Sequence, residues 1–145
     1  MLLTIDVGIT NITMGAFDGE FLPGMFRMTT KRQRTSDEYG MTICGILEHR
    51  GIDPKQIDAV IIASVVPDIM HSLTSGIIKY LHTTPVIVTP ESDTGIRVNT
   101  ENPSRTGPDR IVNAVAGYDI AGGTAVVIDF GTATTNDPSG PDVTL

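Results

Sequence analysis

Two short hydrophobic runs in this chain end alike, and no other feature constrains the fold as much. Ile5-Asp6-Val7-Gly8 is followed by Thr10, and the run from Thr124 to Phe130 ends in Asp129-Phe130-Gly131-Thr132. A strand that delivers an aspartate, a glycine and a threonine into a tight turn surrounds a concave spot with backbone N–H groups and a hydroxyl, a setting suited to phosphate oxygens. The glycine lets the backbone come close. The aspartate at the strand end can hold a hydrated divalent or monovalent cation that offsets phosphate charge. Taken singly, either turn reads as a plain hairpin. A matched pair is what a nucleotide held between two related domains requires.

Between the two turns the pattern is that of an α/β chain. Leu2 to Val7, Ile12 to Phe17 and Glu20 to Met28, with the turn dipeptide Asp18-Gly19, predict a three-strand meander. Ser36 is placed to cap a helix whose opening turn carries Asp37 and Glu38, and Tyr39, Ile43, Ile46 and Leu47 share its apolar face up to Gly51. The aliphatic run Ala59 to Val66 predicts a central strand stopped by Pro67. Ile69, Leu73, Ile77 and Leu81 predict a second helix, followed by a short strand from Pro85 to Thr89. Residues 90–108 read mostly as loop, and Asp109 to Ala121 as a third helix ending at Gly122-Gly123. The expected fold is therefore α/β, a mixed five-stranded sheet with helices over residues 1–122. Residues 123–145 would be the first strand and turn of a second, duplicated domain that is only begun, plus an irregular tail. Asn136 to Leu145 carries few aliphatic residues, so no further packed element is expected there and the strand before it would lack a partner.

Charge and cysteine usage exclude several classes. Ten Lys and Arg against 17 Asp and Glu leave a net charge of −7, which repels nucleic acid and anionic membrane surfaces alike. No apolar run is long enough to span a bilayer, and without a basic n-region or a small-residue cleavage site the first residues are expected to belong to the fold. A lone cysteine, Cys44, forms no internal disulfide and no structural zinc site, so the cytoplasm is the expected compartment. Cys44 reads as a small packing residue, and His49, His71 and His82 have no metal-ligand spacing. Lys31-Arg32-Gln33-Arg34 reads as a solvated loop. Asp6-Val7-Gly8 leads into a strand rather than a helix, which disfavours a dinucleotide-binding Rossmann turn.

Several blocks, taken in order, carry a family resemblance. They are Ile5-Asp6-Val7-Gly8, Arg34-Thr35-Ser36-Asp37-Glu38-Tyr39-Gly40, Ser64-Val65-Val66-Pro67, Asn102-Pro103, Gly107-Pro108-Asp109-Arg110-Ile111-Val112-Asn113-Ala114 and Asp129-Phe130-Gly131-Thr132-Ala133-Thr134-Thr135. From Met1 to about Thr135 the chain resembles the type III pantothenate kinases. The resemblance implies an actin-like, hexokinase-like ATPase domain of the ribonuclease H-like kind. It further implies ATP-dependent phosphorylation of pantothenate to 4'-phosphopantothenate, the first step of coenzyme A biosynthesis, by a homodimer. Carried over by position, Asp6, Val7, Gly8, Ile9, Thr10, Asn11, Ile12 and Thr13 would line the ATP phosphates, with Asp6 near Mg2+, and Thr132 would also contact ATP. Asp129 would bind a monovalent cation, K+ or NH4+. Thr100, Gly107, Pro108, Asp109 and Arg110 would meet pantothenate, and Asp109 would accept the proton of its primary hydroxyl. An aspartate is a weak base toward an alcohol, so its main contribution would be orientation.

The chain departs from that pattern in places. Ile9 stands where the family normally has asparagine, Pro108 removes a backbone donor beside the acceptor, and Thr100 replaces a tyrosine found in many members. The family's second half is not represented after Thr135, so negligible turnover is expected from these 145 residues by themselves. The competing reading is a non-catalytic remnant, a ligand-binding or dimerising module of the same lineage. Another kinase or phosphatase of the superfamily would explain the paired turns but not the Gly-Pro-Asp-Arg block.

Overall fold

The computed structural model describes residues 1–132 and 134–139, which fall into two compact units, Met1–Ile87 and Val88–Leu145. In the first unit, β1 (Leu2–Val7), β2 (Asn11–Asp18) and β3 (Phe21–Thr29) form an antiparallel meander. Two further strands, β4 (Ala59–Ser64) and β5 (Val86–Ile87), add in parallel on the other side of β1, giving the order β3-β2-β1-β4-β5. This is the mixed five-stranded sheet expected from the sequence.

Strand periodicity decides which face is covered. The register sets Leu3 opposite Ala16, Ile5 opposite Met14 and Val7 opposite Ile12, while Val60 and Ile62 align with Leu3 and Ile5 from the parallel side. All of these side chains are buried in one cluster, and a slip of one residue would turn the whole row to the opposite face. Helices α1 (Ser36–His49) and α2 (Met70–Leu81) supply the other half of that cluster through Tyr39, Ile43, Leu47, Leu73, Ile77 and Leu81. The two helices approach closely at glycines. A Cβ on Gly76 would lie 2.4 Å from the Ser36 carbonyl oxygen, and one on Gly40 would lie 2.1 Å from the Tyr80 ring.

The cap of α1 differs from expectation. Thr35, not Ser36, is the N-cap: its hydroxyl accepts from the Glu38 N–H at 3.2 Å, and the Glu38 carboxylate accepts from the Thr35 N–H at 2.6 Å. A threonine followed three positions later by a glutamate satisfies two amides reciprocally, which a cap at Ser36 would not. The Thr35 amide, first, and then its hydroxyl hold the Glu38 carboxyl below the ordinary value near 4.5. Because the folded value is depressed, this contribution is fully present above the unfolded value and disappears as pH falls through the folded one. The stability gap between wild type and Glu38→Gln, read by urea melts across the acid range, is therefore expected to close toward low pH. A gap independent of pH would contradict the capping role.

Two strands are shorter than the sequence suggests. β5 keeps only two residues of the expected Pro85–Thr89, and β4 ends at Ser64, after which the Val65 N–H still donates to the Val7 carbonyl at 3.1 Å.

In the second unit, α3 (Pro108–Ala121) starts on a proline at its first helical position and stops at Gly122, whose φ of 71° suits glycine. It packs on a hairpin of β6 (Ala125–Phe130) and β7 (Thr134–Ser139). β7 corrects the expectation that nothing packs after Thr135 and that the preceding strand lacks a partner. Thr134 and Thr135 are β-branched, and Pro138 is tolerated because a two-stranded sheet has only edge strands. Within the second unit, α3 makes its element contacts with β6 and β7. Ala133 of the second turn and Gly140 to Leu145 of the expected tail lie outside the described residues. No helix among the described residues is long and apolar enough to cross a membrane.

Candidate functional site

The first candidate element is the turn joining β1 to β2. The Gly8 N–H donates to the Asn11 carbonyl at 2.9 Å, and a Cβ on Gly8 would lie 3.0 Å from that same oxygen. The close approach, rather than an unusual φ, is what selects glycine. Thr30, just after β3, holds the turn from the side: its hydroxyl donates to the Gly8 carbonyl at 2.7 Å and its N–H to the Thr10 carbonyl at 2.9 Å. β1, β3 and β4 run in the same direction, so their carboxyl ends share the edge that carries this turn. Open α/β sheets bind ligands at such edges.

Within Asp6–Thr13 the side chains divide by face. Val7 and Ile12 are fully buried in the core, so only their backbone is offered to a ligand. Asp6 and Thr13 are cross-strand neighbours on the opposite face, Asp6 exposed and Thr13 half-buried. Ile9, Thr10 and Asn11 form the exposed tip, with Ile9 59% exposed. An apolar side chain at that level of exposure buries little area and contributes little to stability.

The second element is the start of α3 with the hairpin beneath it. Gly107 is the N-cap without a side-chain cap, Pro108 follows, and Asp109 is half-buried in the first turn. Arg110 reaches β7: its Nε donates to Asp137 Oδ1 at 2.6 Å and its Nη2 lies 2.5 Å from the same oxygen. Asp137 is fully buried. One turn on, Asn113 Nδ2 donates to Asp129 Oδ2 at 2.9 Å, and Gly117 lets Val127 approach, since a Cβ there would meet it at 2.3 Å. Arg110, Asn113 and Gly117 thus form one helix face against β6 and β7, at the spacing that brings helical residues into line. Thr100 sits in the preceding loop with its hydroxyl 2.9 Å from that of the buried Thr106, and Thr132 is exposed just after β6.

The structure thereby gathers Asp6 to Thr13 into one hairpin, and Asp109, Arg110 and Asp129 into the α3 assembly. Two residues without a role in the sequence reading belong to the second group: Asn113, which orients Asp129, and Asp137, which anchors Arg110. Asn113 had a usable signal, its position three residues after Arg110 on the same face. Asp137 had none, because the strand that carries it was not expected. Cys44 is half-buried against the core, and burial raises its thiol above the ordinary value, which fits a packing residue.

A family model described as type III pantothenate kinase matches residues 2–138. A type III pantothenate kinase of Agathobacter rectalis is 55% identical over 137 residues, covering 94% of this chain and 53% of that protein. Those of Halalkalibacterium halodurans and Moorella thermoacetica are each 47% identical, covering 93% and 94% of this chain and 53% and 54% of theirs. The chain spans about half the length of the curated relatives it matches. Among solved structures, a provisionally named N-acetylglucosamine kinase from Porphyromonas gingivalis superposes with a TM-score of 0.54 at 16% identity, covering 98% of this chain and 45% of that one. That likeness supports the actin-like ATPase fold, here an α/β chain built on a mixed sheet. With the family model running through the Gly8 turn, the α3 block and the β6–β7 hairpin, this chain belongs to the type III pantothenate kinase family.

Proposed function

We propose that this chain carries the nucleotide turn and the acceptor-binding helix of a pantothenate kinase, which transfers the terminal phosphoryl group of ATP to the primary hydroxyl of pantothenate. The observation that carries this reading is the Gly8 turn, clamped by Thr30 at the carboxyl edge of the sheet with Asp6 at the strand end. Asp6–Thr13 and Thr132 take the nucleotide, and Thr100, Gly107, Pro108, Asp109 and Arg110 meet pantothenate, Thr100 through a hydroxyl shared with Thr106. In the transfer, the pantothenate oxygen bonds to phosphorus as the bond to the ADP oxygen breaks, and the hydroxyl proton passes to the Asp109 carboxylate. Asp109 acts chiefly by orienting the hydroxyl in a loose transition state.

Two cations are part of this proposal. Among the described residues no group of three or more His, Cys, Asp or Glu is placed to hold a metal ion. The exposed carboxylate of Asp6 suits Mg2+, which is usually held by one or two carboxylates together with substrate phosphates. Asp129, oriented by Asn113, offers a hard oxygen to K+ or NH4+. Bound there, such ions supply charge neutralisation for the phosphates. ATP and pantothenate are the proposed small-molecule partners, in the cytoplasm, and the net charge of −7 disfavours nucleic acid and anionic membrane as partners.

Titration of Mg-ATP into the purified chain is expected to show saturable binding that Gly8→Val abolishes while the circular dichroism stays native. A wild-type chain that takes up no Mg-ATP would overturn the reading. Ile9→Asn, which restores a side-chain amide at the tip, is expected to tighten Mg-ATP about tenfold, the worth of one hydrogen bond to a charged group. An unchanged affinity would remove the tip from the phosphate site.

One observation favours a second reading, a self-associating module consistent with the family's homodimers. Val126, Ile128 and Phe130 are 66%, 53% and 82% exposed on alternate positions of β6, an apolar stripe on the face away from α3. Sedimentation equilibrium of wild type against Ile128→Lys separates the two: a dimer abolished by the lysine supports it, and a monomeric wild type excludes it.

A further inference from the structure

We infer that the loop Lys31–Arg34 is a built binding site for a phosphate-class anion, lying next to the Gly8 turn. The sequence alone suggests a solvated charge run, yet the loop is held at both ends and in the middle. Thr30, immediately before it, is bonded to Gly8 and Thr10. The carbonyl of Lys31 accepts from the hydroxyl of the buried Tyr39 at 3.1 Å. The Arg34 guanidinium lies 5.8 Å from the centroid of the same Tyr39 ring, and Thr35 opens α1 through its capping box. Arg32 pairs with Asp68 at 2.7 Å, tying the loop that leaves β3 to the segment that leaves β4. The loop therefore crosses the sheet edge where β1 ends.

An open cleft of about 390 Å3 is lined by Lys31, Arg32, Gln33, Arg34 and Glu38. Three cations face one carboxylate there, and that carboxylate is occupied by the Thr35 N–H. With Arg32 offset by Asp68 and the Glu38 carboxylate set against Lys31 and Arg34 together, one net positive charge remains to receive a negative ligand. Arg34 Nη1 is shielded from solvent and has no hydrogen-bond partner among the described residues. A shielded guanidinium donor without an acceptor, fixed over an aromatic ring beside a lysine, suits phosphate oxygens, which accept charge-assisted and bidentate bonds from arginine. The anion can be the polyphosphate of the nucleotide, in which case the inference rests on the function proposed above, or a separate inorganic phosphate, in which case it does not.

The test titrates sodium tripolyphosphate, inorganic phosphate and Mg-ATP separately into the full chain, by calorimetry, with thermal melts confirming that each variant folds. K31Q/R34Q is expected to weaken tripolyphosphate about tenfold, the loss of roughly one charge-assisted bond. K31R/R34K, which keeps both charges, should recover most of it, and the remote pair R50Q/K55Q should leave it unchanged. If Mg-ATP weakens in parallel, the anion is the nucleotide's own; if only the simple phosphates weaken, the site takes a separate anion. Tripolyphosphate binding equal in wild type and K31Q/R34Q, equal weakening by R50Q/K55Q, or no binding to wild type would each overturn the site. Should Mg-ATP still bind and be lost in Gly8→Val while K31Q/R34Q changes nothing, the site falls and the proposed function stands. Tripolyphosphate binding without Mg-ATP binding gives the reverse.

Discussion

Gly76→Ala is expected to destabilise the first unit by about 3 kcal/mol or more, a cost at the upper end of overpacking substitutions. The new Cβ would sit 2.4 Å from the Ser36 carbonyl oxygen and 3.2 Å from the Gly40 amide nitrogen. Both neighbours are backbone atoms of α1, so no rotamer change relieves the clash and the helices must separate. Alanine is the better helix former by about 1 kcal/mol, which sets the scale the clash has to exceed. Gly45, also in α1, has nothing within 4 Å of its Cβ position. Gly45→Ala should therefore stabilise, by up to about 1 kcal/mol. Urea denaturation followed by circular dichroism gives both numbers, and equal midpoints for the two variants would refute the close-contact account. The consequence reaches the ligand edge, because the first turns of α1 carry Thr35 and Tyr39, which hold the basic loop.

Arg110→Met is expected to cost about 3–5 kcal/mol in the second unit, since removing one partner leaves the other charge buried and unpaired. Asp137 is fully buried, takes both contacts from Arg110 on one oxygen, and leaves Oδ2 shielded without a partner among the described residues. Asp137→Leu should be costly for the converse reason, a half-buried guanidinium without its carboxylate. The double variant Arg110→Met with Asp137→Leu should be less damaging than the sum of the singles, because an apolar pair replaces an ion pair without stranding a charge. Thermal melts of the four proteins close this cycle. Additive losses would mean that the two residues act independently. The outcome also bears on function: a melt unchanged in Arg110→Met would assign that side chain to ligand contact alone, whereas coupling makes it a positioning residue for the start of α3, where Asp109 stands.

Much of the first unit was legible. The alternation of Leu3, Ile5 and Val7 and of Ile12, Met14 and Ala16 is a period-two signal for the residues that share a face, and these residues are buried together. Helix faces such as Leu73, Ile77 and Leu81 followed from spacing in the same way. Less was legible where polar residues decide the structure. The cap moved from Ser36 to Thr35 because both can accept from free amides, and only the reciprocal bond with Glu38 distinguishes them. β7 escaped notice because Asn136, Asp137 and Pro138 have low strand propensity, and pairing with β6 outweighs it.

The turn residues at Gly8 and Gly131, the Gly-Pro-Asp-Arg block and the apolar periodicities are local properties, written in residue type and spacing, and they are what place this chain in its family. Which side chains meet across the chain is a different kind of information. Arg110 with Asp137, Asn113 with Asp129, Tyr39 with Lys31 and Gly76 with Ser36 depend on how strands register and helices cross. Those distances emerge only when buried apolar area draws the elements together, because no short-range preference links residues so far apart along the chain.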